Sequence, residues 1–458
     1  MSFSPELAEI RFGFGLSPEL TLLNSPAQIL TELQTRDDVS RDYPVPTYTG
    51  ALPAMMALRK IRQNEGRAAS KEAAREMFRR EKNKLEDMEL GWIVNGMLRR
   101  TWARSAFRER LVQFWGDHFT AFGKTQILRF GTLGYVEEAI RPHIIGKFAD
   151  LLIAAVMHPI MLTYLDQNVS TGPNSPAAQN AQKHRGLNEN LAREVLELHT
   201  LGVDGPYTQA DVRQLAELFT GMAIARDGKF VFQPRKAEPG TETVLGRKFG
   251  GNPAKVSAIE DALRSLARHP ATARHLATKL AVHFVSDSPP VTLVSDLERA
   301  YLESDGDLLR LYDVLLNHPA SWRAERSNFK PPQDFIASTW RALAVRPDHA
   351  AKLGRRNVRR WIIQPLIAMG QRLNRPSGPD GWPEEDSAWI TPHGLSTRLK
   401  WAMTAPAVLR PDLPDPREFV RHALGPFADE NVLFAARAAE QKSEAIGLVL
   451  ASPAFQRR

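Results

Sequence analysis

The chain has 458 residues, 43% of them hydrophobic and 24% charged, and carries a formal net charge of +8. That balance is ordinary for a globular protein, excludes wholesale disorder, and permits a polyanionic partner without demanding one. Cysteine is absent, which removes disulfides, thiolate nucleophiles and cysteine-ligated metals, so any metal would have to rest on His, Asp and Glu.

In chain order, Met1-Ser2-Phe3-Ser4-Pro5-Glu6 offers no basic stretch followed by an apolar run, so no secretory signal is expected. The longest apolar run, Phe148–Met157, falls well short of the roughly 20 residues that cross a bilayer. The expectation is a soluble, cytoplasmic protein with no membrane span. Phe12-Gly13-Phe14-Gly15 lacks the third glycine and the preceding strand of a dinucleotide-binding turn and reads as a simple turn. Between Arg59 and Lys84, Glu72, Arg75, Glu76 and Arg80 stand three and four apart, the pattern of a solvated, ion-paired helix. Nucleic acid is therefore not the expected partner of this stretch, nor of the later cluster Arg355, Arg356, Arg359 and Arg360.

Apolar residues recur three and four apart through Leu85–Trp115, Tyr135–Met157, Leu187–Leu201, Gln209–Met222, Ala258–Leu266, Thr272–Val285 and Val291–Leu302. Each is an expected amphipathic helix. Few segments alternate with period two. The main one pairs Lys229–Gln233 with Glu242–Phe249 through Pro239-Gly240 and predicts one small hairpin, which must rest on helices because two strands do not stand alone. Prolines follow helix-like runs at His158-Pro159, His269-Pro270 and His318-Pro319, predicting short, stiff junctions. Val169–Arg185, rich in Ser, Asn, Pro and Gln, is the expected long loop. The fold class is thus mainly α: a multi-helix globular array with a small two-stranded β insertion near 229–249. The expected organisation is an N-terminal helical lobe over 1–225 carrying the polar cluster, the insertion over 226–255, and a C-terminal helical lobe over 256–458 packed on the first.

Polar residues concentrate around the loop. Phe114-Trp115-Gly116-Asp117-His118-Phe119 ends a long amphipathic stretch. Its Asp117 and His118 read as an acid/base pair or metal ligands, or else as a helix-terminal histidine against the dipole beside a packed Trp. Met161–Asn168 brings Asp166 and Asn168 to the start of the loop, where polar groups commonly carry function. Past the loop, Asn188 is a candidate N-cap and Gly202 a left-handed stop. Between them, at about 100° per residue, Asn190, Arg193, Glu194 and Glu197 fall in one arc flanked by Leu187, Leu191 and Leu198. Facing inward, such a stripe needs partners, because a buried unpaired charge costs several kcal/mol. Facing outward, Arg193 and Glu197 form an ordinary surface pair. His199, opposite the stripe, reads as a packed histidine, and Thr208 with Asp211 as a capping box.

Other signals carry less. His275, Lys279 and His283 share a helix face, where the central ammonium would repel a divalent ion, so no metal is expected there. No HExxH, GxxxxGK[ST] or GxSxG pattern occurs. Gly378-Pro379-Asp380-Gly381-Trp382-Pro383 is a rigid turn presenting one Trp, with Trp389 close behind.

Taken together, these islands resemble the large bacterial family catalogued as domain of unknown function 1800. The matching pieces are Arg11–Gly15, Trp115–Phe119, Ile140–His143 with Gly146–Phe148, His158-Pro159 running into Tyr164–Asp166, and the long block Asn188–Val203. They continue through Tyr207-Thr208, Leu218–Gly221, Lys279-Leu280 with Phe284-Val285, Ser304–Asp307 and Gly378–Pro383, so the resemblance covers nearly the whole chain. It implies no established activity and no cofactor. Members are often encoded beside a sulfatase-like or phosphatase-like exported protein and many carry export signals, which implies a sulfatase-like partner and a role at the cell envelope or with polysaccharides. This chain departs in having no such signal, and in having Ala237 where the family pattern places a histidine, which weakens a metal at that hairpin.

On this reading, Asp117, His118, Asp166, Asn190, Arg193, Glu194 and Glu197 converge beside Val169–Arg185 into one polar cleft. Asp117, His118, Glu194 and Glu197 are the candidate catalytic residues of hydrolytic chemistry. Asp166, Asn168, Asn188, Asn190 and Arg193 are the candidate substrate-binding residues, with Arg193 holding a sulfate, phosphate or uronate of a small molecule or polysaccharide. The alternative is a non-catalytic helical adaptor in which the same cluster is a structural network. The sequence leaves both open and assigns no cofactor and no metal.

Overall fold

The computed structural model describes residues 3–65, 71–179 and 186–458; residues 66–70 of the basic stretch and 180–185 of the expected loop lie outside them. Helices dominate, and the β structure of the described residues is two small two-stranded antiparallel sheets. The protein is mainly α with a small β insertion. No helix among the described residues is long and apolar enough to cross a membrane.

Apolar side chains bury in two clusters. The first runs from Leu7 to Trp322 and includes the fully buried Trp115, Phe148 and Leu280. The second gathers Phe14, part of the helix Lys71–Trp102, and residues from Phe335 to Phe455, including Trp340 and Ile362. The Arg11–Gly15 segment stitches them together, with Phe12 in one and Phe14 in the other. Buried guanidiniums fix that stitch. Arg11 donates to the carbonyls of Ser321, Arg323 and Glu325, Arg110 donates to Gly13 O at 2.6 Å, and Arg341 donates to Gly15 O at 2.7 Å while pairing with Glu9 at 2.8 Å. The Arg-Phe-Gly-Phe-Gly motif is therefore a structural clamp.

The periodic stretch Leu85–Trp115 divides in two. One helix, Lys71–Trp102, ends, and a second, Phe107–His118, starts after a short turn. Arg341 explains the break: its Nη1 donates to the carbonyls of Arg100, Thr101 and Ala103, satisfying acceptors that a helix C-terminus leaves open. Tyr135–Met157 also divides, into Thr132–Tyr135, a π-helical turn Val136–Ile140 and the helix Phe148–Val156. Pro142 and Gly146, the latter at φ 140°, sit between them. Leu187–Leu201 becomes the helix Asn190–Glu194 continued by a wide π turn, Val195–Thr200, in which Thr200 Oγ1 reaches Val195 O at 2.6 Å. Helices Val256–Ala267, Pro270–Phe284 and Val291–Glu303 follow the expected periodicity closely.

The strand pairing differs from the single hairpin expected between Lys229–Gln233 and Glu242–Phe249. Phe230–Phe232 pairs with Met222–Ile224, and Gly240–Val244 pairs with Arg247–Gly251. Turn chemistry decides this. Leu245 and Gly246, at φ 48° and 73°, form a two-residue turn with both residues left-handed, whose twist matches a hairpin. The first part of the expected loop is tied down against the same insertion: Gly172 N donates to Lys236 O at 2.9 Å and Ala177 N to Arg235 O at 2.8 Å.

Candidate functional site

A cavity of about 160 Å³ is lined by residues from both clusters. Helix Lys71–Trp102 lines it with Trp92, Met97, Arg99 and Arg100, and helix Phe107–His118 with Glu109, Gln113 and Asp117. The last three, four residues apart, lie along one helix face, which places Glu109 and Asp117 about 12 Å apart along the axis. The cavity thus has a Glu109 end and an Asp117 end.

At the second end, the N–H of Trp382 donates to both Oδ1 and Oδ2 of Asp117, at 3.1 Å each. The approach requires glycine at 381: that residue has φ 85°, and a Cβ there would stand 2.7 Å from Asp117 Oδ2. Two residues on, Glu384 places both carboxylate oxygens 2.9 Å from His283 Nδ1. Burial pushes the His283 imidazole down, and Glu384 is held low by His283 although burial opposes it. His283 Nδ1 and the Glu384 carboxylate thus form one hydrogen-bonded pair. Burial, followed by the charge of Glu384, pushes half-buried Asp117 up to about 7, against the opposing pull of Lys279 and the Trp382 N–H.

At the other end, Arg141 grips Glu109 through two bonds of 2.7 and 2.8 Å and also reaches Asp37 at 2.9 Å. Burial opposes ionisation of Glu109, but Arg141 overrules it and holds the carboxyl down at about 2. Arg99 pairs with Glu137 at 2.8 Å. Arg100 is different: among the described residues its hydrogen bond goes to Gly96 O of its own helix, at 3.2 Å, and its Nε is buried without a partner.

Of the residues singled out from sequence, Asp117 lines the cavity; His118, Asp166, Asn168, Asn188, Asn190, Arg193, Glu194 and Glu197 do not. His118 ends its helix 2% exposed, with Nε2 3.2 Å from His199 O and the rings of His199 and His275 at 5.9 and 6.2 Å. Burial, followed by the Lys279 charge, pushes His118 well down, His199 to about 3 and His275 to about 4. His199 is a packed histidine, 1% exposed. No group of three or more His, Asp and Glu able to hold a metal occurs among the described residues.

Glu194 lies half-buried outside the cavity, where burial and then the charges of Glu197 and Asp380 raise it to about 7. Asp380 also raises Asp117, so the two carboxyls share one electrostatic neighbour. Arg193 reaches Glu197 at 3.2 Å, Glu189 at 3.6 Å and Gln209 at 2.8 Å, forming a strip at the surface. Asp166 is exposed and pairs with Lys124 at 3.3 Å, while Asn168 lies in the turn Gln167–Val169. Asn188 donates to Leu165 O at 3.0 Å and accepts from the N–H of exposed Asn190 at 2.9 Å, which ties the loop's two ends together.

Sequence reasoning missed Glu384 and Arg100, and read His283 only as a poor metal ligand. Glu384 directly follows the Gly378–Pro383 turn, which was the available signal. Several members of the basic clusters are ion-paired: Arg355 bonds Asp87 at 2.6 Å, Arg359 reaches Glu86 at 3.5 Å, and Lys84 bonds Glu81 at 2.7 Å.

Comparison with known proteins gives one finding. The model of a family described as "Protein of unknown function (DUF1800)" matches residues 8–457. No curated protein and no solved structure matches the chain.

Proposed function

The chain belongs to the DUF1800 family, whose description carries no activity, and from its geometry we propose a hydrolase-like protein performing acid–base chemistry on an anionic small molecule. The cavity beside Asp117 is the site in this reading. One observation carries it: a carboxyl raised to about 7 is fixed by the Trp382 N–H at the wall of a cavity large enough for a small ligand. Such a group exchanges protons readily at neutral pH, and a placed acid or base accelerates reactions by about 10²–10⁴-fold.

His283 and Glu384 act as positioning residues. His283 anchors Glu384, Glu384 anchors the turn that carries Trp382, and burial, followed by the charge of Glu384, raises Asp117 to about 7. The volume of about 160 Å³ suits one small molecule or the end of a chain, not an internal stretch of polysaccharide. Turnover of small chromogenic carboxylate, phosphate and sulfate esters by the purified protein tests the reading. Asp117→Asn is expected to lower it about 100-fold at pH 7; equal turnover by both proteins, or none by either, rejects the hydrolytic reading.

A second reading, a non-catalytic adaptor for a sulfatase-like partner, is favoured by the surface strip of Arg193 with Glu189, Glu197 and Gln209. An Arg193→Glu variant that unfolds at the same temperature as the parent yet loses binding to such a partner would support it.

A further inference from the structure

Four side-chain amides line the cavity, and each keeps hydrogen-bonding capacity that the protein does not use. Gln371, 3% exposed, accepts the N–H of Gln333 through Oε1 at 2.7 Å, which fixes its orientation and leaves its NH₂ group without a partner among the described residues. Gln113 is fixed the other way round: its Nε2 donates to Asp334 at 2.7 Å, and its buried Oε1 has no partner among the described residues. The side-chain amides of Gln333 and Asn374 bond nothing among the described residues.

Charge does not select the ligand. Besides Asp117, the lining carries three guanidiniums, Arg99, Arg100 and Arg141, and three carboxylates, Glu109, Glu137 and Glu384. Polar groups in a covered site are costly without partners, so a body of pure hydrocarbon would leave the amides stranded. A hydroxyl both donates and accepts, and meets the NH₂ of Gln371 as readily as the carbonyl of Gln113. A ring polyol carries such a group on nearly every carbon, whereas an amide fixes its donor and its acceptor on separate atoms. Trp92 and Trp382 also line the cavity and offer flat apolar surfaces to the C–H face of such a ring. The volume of about 160 Å³ is on the scale of a cavity that holds one six-membered ring.

We infer that the cavity binds a polyhydroxylated ring of monosaccharide size, its hydroxyls taken by the amides of Gln113, Gln333, Gln371 and Asn374. This rests on the cavity being the ligand site proposed above and deepens that reading by naming the body of the substrate.

The hydroxylated probes are glucuronate, methyl glucoside and myo-inositol. Cyclohexanecarboxylate matches glucuronate in ring size and charge without the hydroxyls, and N-acetylglycinamide represents an amide; each is titrated into the full chain by calorimetry. At least one hydroxylated probe is expected to bind, with cyclohexanecarboxylate and N-acetylglycinamide at least about tenfold weaker, because a site built to bond hydroxyls rejects analogues lacking them. Asn374 stands at φ 50°, a left-handed backbone that glycine adopts freely, so Asn374→Gly removes one amide without strain. It is expected to weaken the bound probe about fivefold, the loss of one hydrogen bond. Should that variant fail to fold, the comparison of probes on the unaltered protein decides. Binding by none of the hydroxylated probes, cyclohexanecarboxylate or N-acetylglycinamide binding as tightly as the best of them, or an Asn374→Gly variant with unchanged affinity would overturn the inference. Failure of the acid–base reading is distinguishable: Asp117→Asn then leaves ester turnover unchanged while the hydroxylated probe still binds through the amides.

Discussion

The N–H of Trp382 donates to both carboxylate oxygens of Asp117 across 265 residues of sequence. That bond joins a helix C-terminus to a glycine-containing turn, and the turn is itself held by the His283–Glu384 contact. Burial raises the proton affinity of Asp117 most, the charge of Glu384 raises it further, and the Trp382 N–H opposes both.

Glu384→Gln is expected to lower the pKa of Asp117 by about one unit, because a neutral amide keeps the hydrogen bond to His283 but removes the nearby negative charge. A pH titration of the Asp117 carboxyl resonance checks this. An unmoved midpoint would show that burial alone sets the value.

Asp117 also couples stability to pH. Its value lies above the ordinary 3.8, at about 7, so between those values the folded protein keeps a proton that the unfolded chain has released. Stability then falls as pH rises through that window. Asp117→Asn carries no such penalty and is expected to gain about 2 kcal/mol on the parent between pH 5 and pH 8, allowing for the solvent contact of a half-buried group. Urea denaturation at both pH values measures the gain; an offset independent of pH would contradict it.

Asp334, fully buried, joins Arg110 and Arg458. Burial opposes its ionisation, but the two guanidiniums win and hold it well below the carboxylate range. This contribution is present above about pH 4 and is lost as pH falls, because the unfolded carboxyl takes up a proton first. Asp334→Ala strands two buried cations and is expected to cost about 3–5 kcal/mol. A loss under about 1 kcal/mol in denaturation would show that the network is dispensable.

Arg193→Ala makes the opposite case. Its partners are reached at the surface, where such pairs contribute about 0.2–1 kcal/mol. Thermal unfolding is expected to move by no more than a few degrees, and a larger shift would mean the strip is a structural network.

What was legible in the sequence was local. Thr208 and Asp211 form the expected capping box because the contact spans one turn, and His199 packs inward because its helical neighbours are apolar. What was not legible depends on distant partners. Periodicity alone joins Leu85 to Trp115, and only Arg341, 238 residues from Ala103, explains the break. Glu384 meets His283 across 101 residues, a pairing no spacing rule announces. The stripe of Arg193, Glu194 and Glu197 was visible as an arc, but whether an arc lines a cavity depends on what packs over it.

Selective carbon-13 labelling of aspartate carboxyls, with the Asp117 resonance assigned by its loss in Asp117→Asn, tests the central claim most directly. A titration midpoint near 7 is the expected result. A midpoint near 4, the value of an ordinary exposed aspartate, would contradict the account.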